Sequence, residues 1–76
     1  MKNLIGHNNA GRIIIKQGEQ AVIGVMDKGP FVEYVAWSYH FDKTTGEPSF
    51  YWGRYGTKEL AEEAFRKKEA GQFSGE

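Results

Sequence analysis

The residues whose chemistry is most easily put to work are few. His7 and His40 are the only histidines, and the chain has no cysteine. A metal centre needs about three or four converging ligands. Neither histidine has a second one at ligand spacing, although Asp42 would share a strand face with His40, so no metal site follows. Ser38, His40 and Asp42 alternate in the order of a nucleophile, a base and an orienting acid. Alternate positions on one strand face lie ~7 Å apart, too far for the ~3 Å hydrogen bond by which a base activates a serine. Glycines gather in Gly6-His7-Asn8-Asn9-Ala10-Gly11, but no strand-loop-helix context and no Gly-Lys-Ser/Thr ending makes them a phosphate cradle. The reading is a protein without catalysis, cofactor or metal.

What the sequence offers instead is aromatic surface. Phe31, Tyr34, Trp37, Tyr39, Phe41, Phe50, Tyr51, Trp52 and Tyr55 fall in two alternating runs around Asp42-Lys43-Thr44-Thr45-Gly46-Glu47, the pattern of a long β-hairpin. Asp42 can hold the turn with its carboxylate, and Gly46 can take the left-handed position that closes it. Asp42 then opposes Glu47. Counting outward sets Tyr39 opposite Phe50 and Trp37 opposite Trp52 on one face, with Ser38 opposite Tyr51 and Tyr34 opposite Tyr55 on the other. A slip of one residue would exchange the faces.

The rest of the chain can be ordered around that hairpin. Arg12-Ile13-Ile14-Ile15-Lys16 and Ala21 to Met26 are β-branched or apolar runs joined by Gln17-Gly18-Glu19, and Asp27-Lys28-Gly29-Pro30 turns the chain into Phe31. Thr57 is a good helix N-cap, Glu59, Glu62 and Glu63 lie early, and Arg66, Lys67 and Lys68 lie late. Gly71 suits the left-handed position past the end. Leu60, Ala61, Ala64 and Phe65 form its apolar stripe. The expected fold class is α+β: a single domain over residues 1–76, with a loose segment at 1–11, a four-stranded antiparallel β-meander at 12–55, one C-terminal α-helix at 57–70 on one face, and a frayed tail at 71–76.

Ten Lys plus Arg balance ten Asp plus Glu in the 76 residues, so no global field draws the chain to phosphate or to an anionic membrane. The first residues are too short an apolar run for a signal peptide or a membrane span. A cytoplasmic protein with no membrane association is expected.

One narrow helix cannot cover both faces of a four-stranded sheet. The bulky set Trp37, Tyr39, Phe50 and Trp52 most needs the helix, which leaves Tyr34, Tyr51 and Tyr55 on an open face beside Ile23, Val25 and Val32, with His40 and Arg54 at its rim. Contiguous apolar surface of that kind marks a contact site, and tyrosine suits it, with a large ring and a hydroxyl that tolerates water. The partner would be a protein, either a second copy, as a dimer, or a host protein. The alternative is nucleic acid, with bases stacked on the sheet and phosphates met by Arg12, Lys16, Lys28, Lys43 and Arg54. Glu19, Asp27, Glu33, Asp42 and Glu47 interleave with those cations, within a Debye length of ~8 Å.

The run Phe50-Tyr51-Trp52-Gly53-Arg54-Tyr55-Gly56-Thr57-Lys58-Glu59, with Ala61-Glu62 and Phe65, resembles the strand-to-helix junction of many short uncharacterised proteins from phages and mobile elements of Gram-positive bacteria. That resemblance implies an accessory role, such as modulating a host enzyme or defence protein. The same region is similar to the arm-type DNA-binding domain of tyrosine integrases, whose sheet enters the major groove and precedes a helix opening Thr-Lys-Lys-Glu-Ala-Glu. Those sheets are rich in Lys and Arg, whereas the strands here carry Tyr, Trp, Ser and Glu33, with Arg54 the main cation.

Overall fold

The alternating runs form strands where the periodicity places them, and a further strand precedes them. The computed structural model describes residues 3–71; the expected fraying of Gln72 to Glu76 lies outside these residues. Strands β1 (Asn8–Asn9), β2 (Arg12–Gln17), β3 (Ala21–Lys28), β4 (Phe31–Phe41) and β5 (Pro48–Gly56) precede helix α1 (Lys58–Glu69). The strands pair antiparallel in sequence order, and the sheet curls into a half-barrel. The α+β class and the C-terminal helix are as expected, with five strands in place of four.

The extra strand comes from the segment expected to be loose. Ala10 and Gly11 both have positive φ, 55° and 83°, the pair of values a tight hairpin turn with right-handed twist requires. They bring Asn8 opposite Ile13 and Asn9 opposite Arg12. The Gly6 N–H donates to the Ile14 carbonyl at 2.8 Å and the Ile14 N–H to the His7 carbonyl at 3.0 Å. Leu4 is buried in the core, and its N–H donates to Gln17 Oε1 at 2.7 Å.

The two long hairpins close as their turn residues dictate. Gly29, at φ 67°, and Pro30 link Lys28 to Phe31. In the other loop Asp42 Oδ1 accepts from the Thr44 and Thr45 N–H groups at 2.7 and 2.9 Å. The Asp42 N–H donates to the Glu47 carbonyl at 2.8 Å, and Gly46 sits at φ 77°. Tyr39 accordingly faces Phe50 and Ser38 faces Tyr51. Beyond that point the expected register fails. A bulge at Trp52 and Gly53 shifts the pairing, so that Ala36 faces Arg54, Val35 faces Tyr55 and Tyr34 faces Gly56. One extra residue moves Tyr55 to the face of Trp37, away from Tyr34.

The helix lies on the face opposite to the one expected. Ala61 and Phe65 pack with Ala21, Ile23 and Ala36, and Tyr34 and Ala64 join at the margin. Trp37 and Tyr39 pack instead with Leu4, Ile14, Val22 and Val35, with Phe41 and Phe50 against them. The reason is steric. A helix with a narrow stripe needs a bed of small side chains to approach closely, and Ala21, Ala36 and Ser38 provide it. Large rings would hold it off and leave voids. The rings fill the other side by themselves as the sheet curls and Leu4 closes over them.

Helix α1 begins and ends as its sequence requires. Thr57 Oγ1 accepts from the Leu60 N–H at 3.2 Å, and Gly71, at φ 78°, follows the Ala70 cap. Lys68, one of the basic residues of the last turn, is buried in the structure.

Candidate functional site

The helix crosses β3, β4 and β5. Its first turn lies by the end of β5, where a Cβ on Gly56 would stand 3.0 Å from Leu60 Cδ1. Its last turn reaches the β2–β3 connection, where Glu69 accepts hydrogen bonds from backbone N–H groups. A diagonal course leaves two corners of the same sheet face bare.

The first corner is aromatic. The His40 and Tyr51 rings stand 5.5 Å apart, and the Tyr51 and Trp52 rings 5.1 Å apart at 78°. His40 is exposed, Tyr51 half-buried and Trp52 40 % exposed. Arg54, exposed, follows on the same strand with its register partner Ala36 on the helix side. The unusual member is Trp52, whose φ of 54° puts a bulky residue in the left-handed region. Such a residue there is an outlier, at a cost of about 1–2 kcal/mol. The neighbour Gly53 does not relieve it, because Gly53 is held against the other face, where its Cβ would meet Tyr55 Cε1 at 2.8 Å and Trp37 Nε1 at 3.0 Å.

The second corner is aliphatic. Ile13, Val25, Tyr34 and Gly56 follow one another across four strands, and Leu60 stands over Gly56. Ile13, Leu60 and Val32 are exposed, and Val25 and Tyr34 are half-buried. Phe31, at the end of the β3–β4 hairpin, is the most exposed large apolar residue described, at 76 %.

The residues expected to form one contact face are therefore divided. Tyr51, His40 and Arg54 stand together and gain Trp52. Val25, Val32 and Tyr34 stand at the opposite corner. Ile23 lies between, 2 % exposed beneath Ala61 and Phe65, and no partner can reach it. Tyr55 is on the reverse face, edge-on to Trp37 at 6.4 Å. Trp52 went unrecognised, although its signal was present: a glycine inside a strand pattern, Gly53, marks a bulge.

The cations of the nucleic-acid alternative are not gathered either. The Arg12 guanidinium pairs with Glu33, lies 4.9 Å from the centre of the Tyr55 ring and donates to the Ala10 carbonyl. The Lys16 ammonium sits 4.7 Å over the Phe65 ring. Lys28 is beside the β3–β4 turn, Lys43 is in the 42–47 loop and Arg54 is on β5.

The Ser38, His40 and Asp42 series does not assemble. Ser38 is buried, and its Oγ has no hydrogen-bond partner among the described residues, while His40 is in solvent. The Asp42 carboxylate is engaged by its own turn, and the Thr45 and Thr44 N–H groups hold its pKa below the ordinary aspartate value of 3.8. Among the described residues no group of three or more His, Cys, Asp or Glu is placed to hold a metal ion. No helix among them is long and apolar enough to cross a membrane.

Comparison with protein-family models, with curated proteins and with solved structures finds no match.

Proposed function

We propose that this chain is a non-enzymatic protein-binding module whose contact centres on Trp52, with Tyr51, His40 and Arg54 around it. The observation that carries the reading is the strained backbone of Trp52. Conformational strain persists where a role holds it in place, and here it turns a large ring toward solvent instead of into a core that Trp37 already fills. Trp, Tyr and Arg are the residues most enriched among interface hot spots, and Trp52, Tyr51 and Arg54 stand on one edge strand. The aliphatic corner, with Val25, Val32 and Tyr34, is a secondary margin beyond the helix.

The resemblance to short phage and mobile-element proteins favours a host protein over a second copy as the partner. Nucleic acid is the lesser alternative, because Arg12 and Lys16 are already occupied by Glu33 and Phe65, and phosphate attraction depends on cations gathered along one path.

The test is affinity capture from bacterial lysate with the wild type and with Trp52→Gly, a substitution that suits the local backbone. A protein retained by the wild type and lost with Trp52→Gly supports the reading, and equal retention rejects it. A mobility shift on nucleic-acid probes that falls steeply with salt would favour the alternative.

A further inference from the structure

We infer that the β2–β3 turn is a carboxylate-binding nest, filled in this state by the chain's own Glu69. Glu69 is the last residue of α1, following Arg66, Lys67 and Lys68 in the final turn. An acidic side chain is electrostatically misplaced there, since the C-terminal end of a helix favours cations. Its carboxylate is satisfied elsewhere. Oε1 accepts from the Glu19 N–H at 3.0 Å, and Oε2 accepts from the Gln20 and Ala21 N–H groups at 2.7 and 2.6 Å. Successive backbone N–H groups converging on one anion are the defining feature of a nest.

The turn is built to hold that shape. A Cβ on Gly18 would stand 2.4 Å from the Glu69 carboxylate, so a side chain there would push that carboxylate out of the cradle. The carbonyls are drawn the other way by Tyr39, whose hydroxyl donates to the Gly18 carbonyl at 2.7 Å and whose N–H donates to the Gln20 carbonyl at 3.2 Å. Tyr39 is itself buried in the core. With the Gly18 and Gln20 carbonyls fixed, the N–H groups of the same planar peptide units, those of Glu19 and Ala21, point outward whether or not an anion is present. Glu19 and Gln20 are exposed, so a carboxylate on an acidic protein segment can reach the cradle once Glu69 swings out. This site is separate from the Trp52 surface.

An internal ligand competes at an effective concentration on the order of millimolar or above, so the nest is masked in the wild type and open in Glu69→Ala. The test is a titration of both proteins with sodium acetate, against sodium chloride at equal ionic strength, read by the amide resonances of Glu19, Gln20 and Ala21. Saturable shifts with acetate in Glu69→Ala, absent with chloride and absent in the wild type, are expected, along with a rise in the variant's melting temperature. Absence of acetate-specific shifts in folded Glu69→Ala overturns the inference, as do equal shifts in the wild type. Glu69→Asp, charged but one methylene shorter, repeats the test where Glu69→Ala is too unstable to measure. Variants that acetate and chloride leave equally unfolded also count against it.

Discussion

The Trp37 indole fills the space that a side chain on Gly24 would occupy: a Cβ there would stand 3.0 Å from Trp37 Cζ3, and 3.5 Å from Val35 Cγ1. This contact explains how the bulky face of the sheet is buried without the helix. Gly24→Ala is expected to overpack the core and cost about 1–3 kcal/mol. The urea midpoint checks it; an unchanged midpoint would mean that Trp37 has room to move.

Trp52→Gly is expected to leave stability within about 1 kcal/mol of the wild type. Relief of the left-handed strain is offset by the flexibility of glycine and by the lost ring contact with Tyr51. Trp52→Ala keeps the strain and loses the ring, so it should be the less stable of the pair. Thermal melts of both variants rank them, and the reverse order would show that the backbone at Trp52 is not strained.

Gly18→Ala and Glu69→Ala remove the same clamp from opposite sides. Each should cost about 1–2 kcal/mol, the worth of a few charge-assisted hydrogen bonds at a half-exposed site. The double variant should cost little more than either one alone. Additive losses would separate the two residues.

Asp42 sets an acid limit on the second hairpin. Its folded pKa is lowered by the Thr45 and Thr44 N–H groups, so its contribution is present above the unfolded value near 3.8 and is lost as pH falls through the lower folded value. Asp42→Asn should therefore flatten the fall of the urea midpoint at acid pH while lowering it at neutral pH. The same pH profile in both proteins would contradict this.

Local rules made the helix, its caps and both long turns legible, since Thr57, Gly71, Asp42, Gly46 and Gly29 act through their own neighbours. Pairing near the second turn followed from Asp42 and Gly46 by counting. That counting failed at Trp52, because a bulge is an insertion into a register, and the alternation of aromatics on either side gives no sign of it except Gly53. Hydrophobic need alone points the helix to the face of Trp37 and Tyr39, which is not the face it covers. Shape decided: Ala21 and Ala36 admit Phe65, and Trp37 does not. The first strand was hidden in polar residues, Asn8 and Asn9, which carry no hydrophobic pattern, and the closure of Leu4 over the core is a long-range contact. Of the expected contact residues, Tyr51 and His40 remain together for a reason the sequence did contain, the parity of strand positions close to a well-defined turn, whereas Arg54, of opposite parity to Tyr51, joins them only through the bulge.

Tyr51 and Tyr55 lie on one strand but on opposite faces, and that separation gives the most direct measurement. A photo-crosslinking phenylalanine analogue is placed at position 51 in one protein and at position 55 in another, and each is irradiated in bacterial lysate. A contact centred on Trp52 predicts a discrete protein adduct from position 51 and none from position 55. Adducts from position 55 alone, or none from either, would contradict it.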